Sequence, residues 1–180
     1  MFNHDIPAKI TDVTTLSPGD NVVLIEFDGE TPRNITYAAV SEVHDTLFTL
    51  GCFNEAPQYN GNFSDEVCVD YIEYFTHLGP HGAVREKGAK PNVYAQRGTY
   101  LYDAEHPLTL YMTQWADHCI EADALHTTLT ESAIAIRLHN GEADIDDLYE
   151  IREYVDEIIT EKEHADTVKE QLGKRLTEYN

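Results

Sequence analysis

The residues of this chain best suited to chemistry are a carboxylate and a histidine three positions apart, a pattern that occurs twice in the C-terminal half. Asp123 and His126 form one pair, and Glu161 and His164 form the other. Side chains at this spacing lie on one face of a helix and can bind one metal ion together. Di-iron carboxylate bundles use two Glu-x-x-His motifs and two further glutamates, directed inward from four helices. This chain matches that arrangement only in part.

The helical periodicity around the second pair argues against a metal site. An apolar stripe with a spacing of three and four residues runs through Lys162 and Ala165, which places Glu161 beside the stripe and directs His164 outward. Ligands that point away from one another cannot share an ion. The sequence therefore predicts no metal ion and no cofactor.

Other reactive groups lack a recognisable catalytic context. His118 and Cys119 are neighbours in an acidic segment, and His77 and His81 flank a Gly-Pro turn, but neither pair forms a known motif. The nucleophile motif G-x-S-x-G is absent, and so are the phosphate-binding motifs G-x-x-x-x-G-K-[ST] and G-x-G-x-x-G. We expect a protein that is not an enzyme. A metal-dependent enzyme that uses histidines and carboxylates is an alternative.

Acidic residues dominate the composition. The chain has 33 Asp and Glu against 12 Lys and Arg, a net charge of −21, yet it is 42% hydrophobic with 11 tyrosines. A disordered acidic chain is poor in aromatic residues, so this composition indicates a folded protein with an acidic surface. In molar salt the screening length falls to roughly 3 Å, which removes most of the self-repulsion. Such a lysine-poor acidic surface resembles that of proteins from salt-accumulating halophiles or from their viruses.

The charge also limits the partners and the compartment. Without a Lys and Arg cluster, direct nucleic-acid binding is not expected, because that binding depends on counterion release. No apolar run approaches the length of about 18 residues that spans a bilayer, and the N-terminal residues do not form a secretory signal. Three cysteines without a C-x-x-C motif indicate buried thiols in a reducing compartment. We expect a high-salt cytosol or a virion.

The first half, residues 1–104, is predicted to be a β-rich domain. Turn residues 17–20 precede the run 21–27, which is apolar on nearly both faces and therefore predicts a strand buried on both sides. A second strand candidate covers residues 35–43. The segment 16–50 resembles a small SH3-type barrel, in which a Gly-Asp turn introduces the first long strand. This resemblance implies a small-barrel fold and assigns no functional residues.

The second half, residues 105–180, is predicted to be a long antiparallel helical hairpin, which makes the whole chain an α+β protein. The first helix begins at Pro107 and continues to residue 139, before an Asn-Gly turn, and the second covers residues 145–178. The second helix carries a heptad-type apolar stripe. The stripe consists of Leu148, Ile151, Val155, Ile158, Lys162, Ala165, Lys169, Leu172, Leu176 and Tyr179.

Two features predict protein–protein contacts. Polar residues within an apolar seam select register and partner, and Lys162 and Lys169 occupy such positions. Tyrosine is enriched at interfaces, and a tyrosine-rich segment contains Tyr71, Tyr74, Tyr100 and Tyr102. Packing of the hairpin and the tyrosines inside the chain's own core is the alternative.

The predicted function follows from charge and hairpin together. We expect a non-catalytic structural or assembly protein of a halophilic archaeon or its virus, such as a virion component. It would bind protein partners and form a homo-oligomer through the hairpin. An ordinary acidic protein and an acidic inhibitor that mimics DNA to occupy a host factor are the other interpretations.

Overall fold

The chain is an α+β protein in which an antiparallel sheet precedes three helices. The structure is a computed structural model and describes residues 6–44, 47–53, 73–78, 84–86 and 97–179. The strands are β1 (Asn21–Asp28), β2 (Thr31–His44), β3 (Leu47–Phe53), β4 (Glu73–Leu78), β5 (Val84–Glu86) and β6 (Arg97–Asp103). The helices are α1 (Pro107–Glu131), α2 (Ala133–Asn140) and α3 (Ile145–Glu178), and a short 3-10 helix covers Val13–Thr15.

The sheet has the strand order β5-β4-β3-β2-β1-β6, and all its neighbouring strands are antiparallel. The first five strands form a meander, and β6 returns to pair with β1. A barrel closes only when its two edge strands pair. Over the described residues β5 and β6 do not pair, so the sheet is open and the SH3-like barrel is not confirmed.

Strand β1 is buried on both sides of the sheet, as its sequence predicts. Val23, Ile25 and Phe27 belong to the core between the sheet and the helices, while Val22 belongs to a second cluster on the opposite face. All four side chains are at most 1% exposed. The alternation follows from the pleat, which directs successive side chains to opposite faces.

The predicted first helix is in fact two helices, so the hairpin of two long helices is not confirmed. Ser132 separates α1 from α2 and has an extended backbone with φ −71° and ψ 153°. Its hydroxyl accepts a hydrogen bond from the Ala135 N–H at 3.2 Å and thereby caps α2. A serine that caps a new helix satisfies a backbone donor that the first turn leaves unpaired. The apolar spacing continued across this break, and the sequence prediction therefore missed it.

Helices α1 and α3 run antiparallel, and α1 packs on the sheet. His118 contacts Glu161, and Trp115, one turn earlier on α1, contacts Lys169, which lies later on α3. One apolar cluster contains Trp115, Leu172 of α3 and Ile25 of β1. The predicted division of the chain between residues 104 and 105 stays a prediction. Within the described ranges, no helix has the length and apolar character needed to cross a membrane.

Candidate functional site

The four tyrosines predicted to form an interface have different surroundings. Tyr71 lies outside the described residues, and Tyr74 lies on β4 with its side chain outside the described part. Tyr102 is fully buried in the core, so it has no surface for a partner. Tyr100 is half-buried, with its ring centroid 6.0 Å from that of Phe27.

The predicted stripe of α3 divides into two faces. Ile158, Ala165 and Leu172 are buried against the rest of the protein, and Ile151 is half-buried beside them. The stripe has a second residue in each heptad, and the exposure of this second residue decreases along the helix. Leu148, Val155 and Lys162 are exposed, whereas Lys169 and Leu176 are half-buried.

This change follows from helix geometry. In a straight α-helix a seven-residue repeat drifts by about 20° per heptad, so positions seven apart rotate gradually around the axis. The rotation brings Lys169 toward the inner face, where its ammonium lies 5.0 Å from the centroid of the Trp115 ring. Lys162 is exposed. Its predicted role in a seam with a partner stays a prediction.

The N-terminal half of α3 carries a second apolar face, which we call the outer face. It consists of Ile145, Leu148, Val155 and Ile159, whose exposed fractions are 62%, 45%, 39% and 48%. Their spacing of three, four and seven residues is typical of a helix surface that packs on another helix. Among the described residues nine large apolar side chains are exposed, and seven of them lie between positions 136 and 159.

Two charged residues, Arg152 and Asp156, lie between the apolar residues of the outer face, and acidic residues border it. Arg152 lies one turn before Asp156, and its Nε is 3.6 Å from an oxygen of that carboxylate. Beside the face, a shallow cleft on α3 is lined by Asp146, Tyr149, Glu150, Glu153, Tyr154 and Glu157. The surroundings of the face are therefore strongly negative.

A charged pair fixes the corner between α2 and α3. Arg137 donates hydrogen bonds from Nε and from Nη2 to the Asp147 carboxylate, the first at 2.9 Å. Asp147 also accepts a hydrogen bond from the Asp144 N–H, and Asp144 accepts one from the Asp147 N–H, which together form a capping box. The hydrogen bonds from Arg137 hold the pKa of the Asp147 carboxyl below its ordinary value.

Three potential metal ligands meet at the edge of the contact between α1 and α3. His118 Nδ1 is 2.7 Å from Glu161 Oε2, and His164 Nδ1 is 4.0 Å from Glu161 Oε1. The centroids of the two imidazole rings are 5.2 Å apart. One ligand atom from each of the three residues lies within 4.8 Å of the others. The arrangement offers two imidazole nitrogens and a carboxylate oxygen to a single ion.

This cluster differs from the one that the sequence suggested. Asp123 forms an ion pair with Arg33 of β2, and His126 is exposed eight residues beyond His118 on α1. His164 is exposed, in agreement with the prediction that it points outward. Its side chain is 56% exposed, but it lies beside the helix contact and approaches His118.

The sequence contained the three ligands of this cluster but not the information that they meet. His118 and the pair Glu161 and His164 were each recognisable as potential ligands. Their meeting depends on the register between two antiparallel helices, which the periodicity of either helix alone does not specify. Comparisons with protein-family models, with curated proteins and with solved structures find no match to this chain.

Proposed function

We propose that the protein is a non-catalytic assembly protein that forms a homodimer by packing the outer face of α3 against the same face of a second copy. The observation that supports this proposal is the exposure of Ile145, Leu148, Val155 and Ile159 on one side of a single helix. Contiguous exposed apolar residues with a polar border are typical of protein–protein contact sites. Helix-on-helix packing would bury them.

Charge on the outer face favours a second copy in antiparallel orientation. A two-fold axis near residue 154 would place Arg152 of one copy opposite Asp156 of the other, and the reverse. The same operation would place Ile159 of the outer face opposite Tyr149, an exposed aromatic residue that borders this face. A surface that meets itself across a two-fold axis needs this kind of self-complementarity.

Salt is the condition that permits the assembly. Two chains of net charge −21 repel each other strongly in dilute buffer. At about 1 M salt the screening length of roughly 3 Å removes most of this repulsion while apolar contacts persist. We therefore assign the protein to a halophilic organism or its virus, where it would act in a high-salt cytosol or as a virion component.

Sedimentation velocity in dilute and in molar KCl tests the proposal. The natural chain is expected to be monomeric in dilute KCl and dimeric in molar KCl. The double variant Leu148→Gln/Ile159→Gln keeps the net charge and is expected to raise the dimer dissociation constant about ten-fold or more, because central interface residues contribute roughly 1 kcal/mol or more each.

Leu110→Gln is the matched control. Leu110 lies on α1, outside the outer face, and is 43% exposed, close to the 45% of Leu148. Its substitution should leave the dimer unchanged. A natural chain that stays monomeric in molar KCl contradicts the proposal, and so does a control that weakens the dimer as much as the double variant.

The acidic border of the outer face supports a second candidate, a basic protein partner such as a DNA-binding host factor. This candidate has the opposite salt dependence, because charge attraction weakens as salt rises. Binding to a basic DNA-binding protein in dilute KCl, in competition with DNA and lost in molar KCl, would replace self-assembly as the function of this surface.

A further inference from the structure

We propose that His118, Glu161 and His164 bind one divalent transition-metal ion, Zn²⁺ or a chemically similar ion, with one coordination position left open. This site is separate from the outer face of α3 and does not depend on self-assembly. It joins α1 to α3 through one ligand from the first helix and two from the second.

The distances between the ligand atoms fit a single ion after small side-chain rotations. Tetrahedral coordination with bonds of about 2.1 Å places the ligand atoms about 3.4 Å apart. His118 Nδ1 lies 2.7 Å from Glu161 Oε2 and His164 Nδ1 lies 4.0 Å from Glu161 Oε1, on either side of this value. A set with one ligand atom from each residue lies within 4.8 Å. An ion would open the contact between His118 and Glu161 and draw in His164, whose exposed ring has room to turn.

The helices hold the ligands in place. Glu161 and His164 are three residues apart on α3 and therefore lie on one face. Ala165, next to His164, is only 5% exposed, which fixes this turn of α3 against the core. On α1, Ala116 and Ala122 are buried on either side of His118 along the chain, with exposed fractions of 0% and 2%. The backbone positions of all three ligands are therefore set by packing.

The ligand types select the class of ion. Imidazole nitrogen with a carboxylate suits Zn²⁺, Cu²⁺, Ni²⁺ and Fe²⁺, whereas Mg²⁺ and Ca²⁺ prefer oxygen ligands alone. A net charge of −21 also raises the local concentration of cations around the chain. The cluster should therefore bind Zn²⁺ in preference to Mg²⁺.

The three side chains leave room for a further ligand. They are 33%, 24% and 56% exposed for His118, Glu161 and His164 respectively, so solvent reaches the site. Three protein ligands with water in the remaining position are typical of zinc sites that exchange a ligand, whereas structural sites have four protein ligands. The site would accept a small anionic or imidazole ligand from solution.

Equilibrium dialysis with Zn²⁺, and with Co²⁺ as a spectroscopic probe, tests the proposal on the full chain without a histidine tag. We expect one equivalent of ion and the visible absorption of Co²⁺ bound by nitrogen and oxygen in four- or five-fold coordination. His118→Ala and His164→Ala should each lower the affinity by more than about 100-fold, since loss of an outer-shell partner already costs 10- to 100-fold.

His126→Ala is the control, because His126 is an exposed histidine on α1 outside the cluster. It should leave the affinity unchanged. If His118→Ala fails to fold, the affinity of His164→Ala tests the proposal. The His164 side chain is mostly exposed, so its removal should leave the fold intact. Absence of bound Zn²⁺, or an equal affinity of His164→Ala and the natural chain, would contradict the proposal and leave only the hydrogen bond between His118 and Glu161. All three ligands belong to one chain, so the outcome of this test does not depend on dimer formation.

Discussion

Arg137, near the end of α2, donates two hydrogen bonds to the carboxylate of Asp147, in the first turn of α3. The pair connects α2 to α3 across the Asn140-Gly141 turn. Asp147 is only 8% exposed and also takes part in the capping box with Asp144. One carboxylate therefore fixes both the angle between the helices and the first turn of α3.

The Asp147 carboxylate predicts a stability that depends on pH. Its pKa is lowered in the folded protein, so the charged form contributes stability that is fully present above the ordinary carboxyl pKa of about 4. This contribution is lost as the pH falls through the lowered folded value. Asp147→Asn should lower the melting temperature at neutral pH, and its difference from the natural chain should shrink below about pH 4.

Asp146→Asn is the matched control for this measurement. Asp146 is exposed in the same helical turn, so both variants remove a negative charge from the N-terminus of α3. Thermal unfolding followed by circular dichroism across this pH range compares them. A pH profile for Asp147→Asn that coincides with that of Asp146→Asn would show that the pair with Arg137 adds no stability.

The two lysines of the predicted stripe should behave differently. Lys169→Ala removes a cation that lies over the Trp115 ring and should lower the free energy of unfolding by about 0.5–1 kcal/mol. Lys162→Ala should leave it unchanged, because the Lys162 side chain is exposed. Urea denaturation of both variants measures the difference. Equal losses from both would indicate that Lys162 also packs against the protein.

Two glycines of the helical half should respond to alanine with opposite signs. Gly141 ends α2 with φ 74°, a left-handed conformation that costs a residue with a Cβ about 1–2 kcal/mol, so Gly141→Ala should destabilise the protein. Gly173 lies inside α3, and a Cβ there meets no atom within 4 Å. Gly173→Ala should stabilise the protein by about 0.8–1.0 kcal/mol, the difference in helix propensity. Chemical denaturation gives both values, and a destabilised Gly173→Ala would refute the second.

Repulsion among the acidic side chains of α3 predicts a stability that rises with salt. Glu153 lies three residues after Glu150 and four before Glu157, so all three carboxylates share one side of the helix. Glu153→Gln should raise the melting temperature in dilute KCl and have no effect in molar KCl, where the charges are screened. If the gain persists in molar KCl, it does not arise from charge repulsion.

The sequence predicted a strand or the end of a helix correctly where a single local pattern specifies it. The run 21–27, which is apolar on nearly both faces, predicted a strand buried on both sides, and the structure confirms this for β1. Pro107 and the Asn-Gly turn marked the two ends of the helical segment before α3. The break at Ser132 was missed because apolar residues recur at helical spacing on both sides of it.

Composition and periodicity are local properties of the chain, and they alone specified the α+β class, the first residue of α1 and the bounds of α3. The tertiary structure decided the open sheet, the division of the α3 stripe into two faces, and the meeting of His118 with Glu161 and His164. These features depend on which strand pairs with which and on the register between helices far apart in sequence. Rotation along a straight helix then decides which positions of a regular heptad face the core and which face solvent.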